Sequence, residues 1–158
     1  PTPGAAEIDH RIDAIWKPYH AALANELDRL RGQHGFVCLL EAHSIKSRVP
    51  RLFDGPLPDF NIGTNHDRSC QPQLTEHVVQ ALKKQERYSH VVNARFVGGY
   101  ITRHYGAPDR NTHALQIELS QATYMNETTL KWDVEAAKQV QITIQDIVQS
   151  IMDWISQQ

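Results

Sequence analysis

Val37-Cys38-Leu39-Leu40-Glu41-Ala42-His43-Ser44 is an apolar run that turns polar only at its end. Phe36 to Leu40 carries no polar residue, the pattern of a central strand covered on both faces. The run delivers a histidine and a serine at its carboxyl end, where sites gather in open sheets flanked by helices. A second strand follows at His113-Ala114-Leu115-Gln116-Ile117-Glu118-Leu119. Its alternation sets Leu115, Ile117 and Leu119 on one face and Ala114, Gln116 and Glu118 on the other. A strand-end histidine and a glutamate late on a second strand suit half of a metallohydrolase site. The histidine would ligate the metal, and the glutamate would act as base on the metal's water.

Outward from these strands, helical and extended patterns alternate. Ile8, Ile12, Ile15, Tyr19, Leu23, Leu27 and Leu30 recur at three- or four-residue steps and predict a helix over 5–31. Pro18 predicts a kink or a division into two helices, and Gly32 and Gly35 a stop. Residues 44–70 carry Pro50, Gly55, Pro56, Pro58 and Gly63, which predict a long loop with a short strand at 60–64. A helix is expected over 72–86, a strand over 90–96, a short helix over 100–105 and a long helix over 134–155. Together these predict a single α/β domain with a mixed, largely parallel sheet flanked by helices.

Composition excludes several classes. The chain has 158 residues, enough for one domain with a real core. Its 16 Lys+Arg and 18 Asp+Glu give a net charge of -2, without the basic stripe that nucleic acid requires. No stretch is apolar for the length of a membrane span, and no secretory signal opens the chain. Two cysteines, Cys38 and Cys70, read as reduced thiols of a cytoplasmic protein rather than as a disulfide framework. Nine histidines favour metal or acid–base chemistry slightly, with most of them expected on the surface.

Each candidate has a plainer reading beside it. His43 suits a metal ligand whose ring Glu41 orients, or a strand-end histidine bonded to a loop carbonyl. Glu118 suits a half-desolvated general base, or a carboxylate on a solvated face. Arg51 and Arg103 sit in turn-rich segments and suit bidentate carboxylate binding, against the usual surface arginine. Asn61, Asn65 and Asp67 suit polar substrate groups or turn caps. Ser44 is rejected as a nucleophile because it follows Glu-Ala-His and lacks a Gly-x-Ser-x-Gly elbow. Cys70 has no marked partner histidine.

Several segments carry a resemblance: Glu41-Ala42-His43-Ser44-Ile45, Pro50-Arg51-Leu52-Phe53-Asp54-Gly55 and Pro58-Asp59-Phe60-Asn61-Ile62-Gly63-Thr64. Ser69-Cys70, Gly98-Gly99-Tyr100-Ile101-Thr102-Arg103-His104-Tyr105-Gly106 and Gln116-Ile117-Glu118-Leu119-Ser120-Gln121-Ala122-Thr123-Tyr124-Met125 continue it. In this order, from Trp16 to Met125, they resemble the N-formylglutamate amidohydrolase (formylglutamate deformylase) family of histidine breakdown. The resemblance implies a fold like that of zinc carboxypeptidases (zinc-exopeptidase-like, phosphorylase/hydrolase-like). It implies His43 as a ligand of zinc or another divalent metal and Glu118 as the catalytic carboxylate. Arg51, Arg103, Asn61 and Tyr124 make up the substrate-binding set for a small dicarboxylate. Glu41 stands where the family usually has Asp, and Asn65-His66-Asp67-Arg68 departs from its loop.

The resemblance covers the later part of the family's sequence. The Pro-His-Ser/Ala-Gly segment and an acidic ligand have no counterpart here, so residues 1–158 read as the C-terminal portion of a longer domain. The activity implied is metal-dependent hydrolysis of the formyl amide of N-formyl-L-glutamate. The alternative is a non-catalytic carboxylate-binding or structural domain that keeps the fold.

Overall fold

The computed structural model describes residues 2–158. The chain opens with α1 (Ala5–Arg11), a π-helical stretch (Ile12–Trp16) and α2 (Lys17–His34). β1 (Val37–Ile45), β2 (Phe60–Gly63), α3 (Pro72–Lys84), β3 (His90–Val92) and α4 (Tyr100–Tyr105) follow. β4 (Thr112–Ser120), a small hairpin of β5 (Met125–Asn126) and β6 (Lys131–Trp132), and α5 (Val134–Ile155) complete it. This is a mixed α/β fold, as the alternating patterns predict.

The main sheet runs β1-β4-β2-β3. β1 pairs with β4 in parallel and β2 with β3 in parallel, while β2 and β4 run antiparallel. One expectation is corrected here. β1 is not central but an edge strand, and β4 takes the central place. Val37 is buried, but Ala42, His43 and Ser44 are exposed. The apolar run at 36–40 reflects Cys38 and Leu40 packing against the core beneath them. All nine residues of β4 are buried, so the solvated-face reading of Glu118 also fails.

Alternation in β4 divides the domain into layers. Leu115, Ile117 and Leu119, with Phe60 and Ile62, face α3 and α5 and join Leu74, Val78, Leu82, Val140, Ile147 and Trp154 in one core. Burying each such large side chain stabilises the fold by about 1.5–3 kcal/mol. Asp133 caps α5, its Oδ1 accepting from Ala136 N at 3.0 Å. On the other face lie α2 and α4. Arg31 Nη1 donates to Thr112 Oγ1 at 3.2 Å, and His20 Nδ1 meets the Tyr105 hydroxyl at 2.7 Å.

The N-terminal helix follows its pattern at Pro18 and departs from it further on. Pro18 does mark a division: it sits in the first turn of α2, and a π-helical stretch rather than a turn joins α2 to α1. Gly32 stays helical, and Gly35 alone closes α2, with a left-handed φ of 83°. The apolar stripe of this helix is largely uncovered: Ile15 is 67% exposed and Tyr19 52%. Leu27 is the residue of α2 that is buried.

Candidate active site

The register of the sheet assembles the site. His43 of β1 stands opposite Glu118 of β4, and Glu118 stands opposite Asn61 of β2. In-register neighbours point to the same face, so His43, Glu118 and Asn61 form one row across three strands. The next row holds Glu41, Gln116 and Gly63. Both rows lie on the face away from the α3/α5 core.

His43 is half exposed, and its Nε2 lies 3.1 Å from Glu41 Oε2, two residues back on the same face. A proton on Nε2 is the tautomer this contact favours, and it leaves the Nδ1 lone pair for a proton or a metal. Glu118 is buried. Burial raises its carboxyl above the usual range, while His43 and a hydrogen bond from Gln116 pull it back down. That bond runs from Gln116 Nε2 to Glu118 Oε2 at 3.3 Å. The arrangement holds a carboxylate with a raised proton affinity beside an imidazole, a pair suited to taking a proton from water.

Asn61 is buried, and its Nδ2 donates to Glu118 O at 3.0 Å and to Pro58 O at 2.9 Å. Its Oδ1 is buried without a partner among the described residues. Arg103 reaches back along α4, Nη1 donating to Gly98 O at 2.6 Å. Gly99 N–H donates to Gln116 Oε1 at 2.6 Å, which links that segment to the Glu118 row. Thus His43, Glu118, Asn61 and the Arg103 segment share one face.

Two predicted residues make no hydrogen bond to this row among the described residues. Tyr124 hydroxyl meets Ser44 Oγ at 2.8 Å. Ser44 alternates with His43, so this contact lies on the opposite side of β1. Arg51 is exposed in the turn after β1, without an ion pair among the described residues. Gln116 is the residue that the reading of motifs passed over. Its place on the Glu118 face and the Gly98-Gly99 pair were the signals available.

Among the described residues, no group of three or more His, Cys, Asp or Glu is placed to hold an ion. Catalytic zinc takes three protein ligands. His43 supplies one, so these residues do not fit a zinc centre by themselves. Neither thiol is poised for chemistry: burial pushes Cys38 up to about 12 and Cys70 up to about 11.

Residues 1–125 match the family model described as N-formylglutamate amidohydrolase. The chain belongs to that family. It is 46% identical over 153 residues to an N-formylglutamate deformylase of Pseudomonas putida, covering 96% of this chain and 57% of the relative. A second N-formylglutamate deformylase, from Pseudomonas aeruginosa, is 44% identical, with 96% of this chain and 58% of the relative covered. The chain therefore spans somewhat more than half the length of these relatives. The crystal structure of N-formylglutamate amidohydrolase from Ralstonia eutropha JMP134 superposes with a TM-score of 0.76 at 26% identity. That match covers 96% of this chain and 54% of the other.

Proposed function

We propose that this chain carries the catalytic carboxylate and a substrate-reading segment of an N-formylglutamate deformylase. The observation that carries the reading is the His43–Glu118–Asn61 row, buried at its centre, in a member of the N-formylglutamate amidohydrolase family. The reaction adds water across the formyl amide and yields formate and L-glutamate.

Glu118 takes a proton from the attacking water as its oxygen bonds to the formyl carbon. It returns that proton to the amide nitrogen as the C–N bond breaks, so one carboxylate serves as base and then as acid. Burial favours this role by raising the carboxylate's affinity for the proton it must hold between the two steps. Arg103, with Arg51 as the second candidate, pairs with the substrate carboxylates through the guanidinium fork. His43 is proposed as one ligand of zinc or another divalent ion within a zinc-exopeptidase-like fold. With its remaining ligands supplied from outside these residues, such an ion would lend Lewis-acid polarisation to the carbonyl. On the family resemblance alone, the reaction belongs to histidine degradation in the cytoplasm.

A formate-release assay on the full-length protein, with and without chelator, tests this. Glu118→Gln should lower turnover by about 10²–10⁴-fold, the usual share of general acid–base catalysis, while the fold and any bound metal remain. Wild-type rates in that variant remove Glu118 as the base. Glutamate binding without turnover in the unaltered protein would favour the carboxylate-binding module instead.

A further inference from the structure

We propose that Gln116 is a positioning residue that fixes the Glu118 carboxylate to the backbone turn carrying Arg103; the proposal rests on the reading of Glu118 as the base. Gln116 is 6% exposed and lies two residues before Glu118 on the same face of β4. Its two amide ends make different bonds. Oε1 accepts from Gly99 N–H at 2.6 Å, and Nε2 donates to Glu118 Oε2 at 3.3 Å. Gly98, beside that amide, accepts from Arg103 Nη1 at 2.6 Å. A continuous set of contacts therefore runs from Arg103 through Gly98–Gly99 and Gln116 to Glu118.

The sheet is shaped for this contact. Gly63 stands opposite Gln116 in the β2–β4 register. A Cβ on Gly63 would lie 2.5 Å from Gly98 N and 2.8 Å from Val97 C. No side chain fits there, so the 97–99 backbone lies directly on the sheet, within reach of Gln116. Gly98 itself adopts a φ of 113°, which a residue with a side chain rarely takes.

The chemistry then fixes the amide's direction. A backbone N–H can only donate, so Oε1 must face Gly99. Nε2 is left facing the carboxylate, and it can only donate. Glu118 Oε2 thereby accepts one bond from Gln116, which fixes the plane of the carboxylate and leaves its other lone pairs for the water's proton. Glutamine is the side chain that meets both demands. An ionised glutamate cannot donate and sets a second negative charge against Glu118, asparagine is one methylene too short, and methionine fills the space without either bond.

Two variants in the full-length protein separate the two ends. Gln116→Glu keeps the acceptor for Gly99 and, when ionised, replaces the donor to Glu118 with a like charge. It should lower kcat by about 10- to 100-fold, the scale of a lost hydrogen bond to a charged group, with KM for N-formylglutamate within about twofold. Gln116→Met loses both ends, so kcat should fall and KM should rise. Selective ¹⁵N-glycine labelling reads the contact without any assay. The Gly99 amide should keep its downfield shift and slow exchange in Gln116→Glu and lose both in Gln116→Met. Wild-type kcat in Gln116→Glu overturns the proposal. So does a loss that disappears once rates are scaled to the folded fraction, or a Gly99 amide unmoved in Gln116→Met. If the unaltered protein releases no formate, the deformylase reading fails by itself, and the Gly99 signal still decides whether Gln116 holds the turn.

Discussion

Three successive residues, Asn65, His66 and Asp67, adopt left-handed φ values of 50°, 56° and 60°. For L-residues this costs roughly 1–2 kcal/mol each. Tertiary bonds hold the turn. Asn93 Nδ2 donates to Thr64 Oγ1 at 2.8 Å, and Thr64 and Thr75 both donate to Asp67 Oδ1, at 3.0 and 3.1 Å. His66 is exposed and contributes no side-chain hydrogen bond to this network. His66→Gly should therefore raise stability by up to about 1 kcal/mol, the steric relief outweighing the entropy that glycine loses on folding. Urea unfolding reads it, and an unchanged or lower midpoint would show that the turn carries no strain at His66. At this scale, alternation in 113–119 was enough to place Glu118 opposite the apolar face. Its burial was not legible, because what covers Glu118 and Gln116 is a turn at Gly98–Gly99 that no local pattern connects to β4. The directions of the Arg51 and Tyr124 side chains were not legible, because a turn or a strand end imposes no alternation.

At the scale of elements, His113 joins three of them. It lies in β4, its Nδ1 accepts from Gln71 N at 3.3 Å at the start of α3, and its ring meets Trp154 of α5 edge-on at 5.0 Å. The bond requires a neutral ring, and burial lowers the pKa of His113 below its ordinary value. A depressed histidine is protonated more readily when unfolded. Its contribution is thus complete above the unfolded value, about 6.5, and is lost as pH falls through the lower folded value. Unfolding free energy should decline from pH 7 toward pH 5, and His113→Gln should flatten that decline. An identical slope in the variant would acquit His113. The apolar stripes of α3 and α5 were legible because each helix packs one face on the sheet. The error over β1 has the same root: an edge strand whose inner face meets the core reads as apolar as a central one.

For the molecule as a whole, the uncovered features matter most. Among the described residues β1 presents an unpaired edge, and Ile8, Ile12, Ile15, Trp16 and Tyr19 form an exposed apolar stripe on the N-terminal helix. Open edges and contiguous apolar stripes both promote association. The 158-residue chain should self-associate at micromolar concentration, with a sedimentation coefficient that grows with concentration. Ile15→Glu should reduce this without loss of helix content by circular dichroism. A monomer at every concentration would contradict it. Periodicity located the stripe correctly, but it records only that a face is apolar, never what lies against it. Among the described residues, no helix is long and apolar enough to cross a membrane, as the hydropathy of the sequence predicts.

The parallel pairing of β1 with β4 also sets a clock. His43 meets Glu118 only after the intervening chain exists, and at roughly 5–20 residues per second a ribosome needs about 4–15 s to make those ~75 residues. Throughout that interval the nascent β1 has no partner strand from its own sheet. β2 and β3 can pair with each other first, but neither touches β1. The His43–Glu118 row thus forms only once β4 has been made, and a chain stalled before Thr112 holds a histidine with no carboxylate across from it.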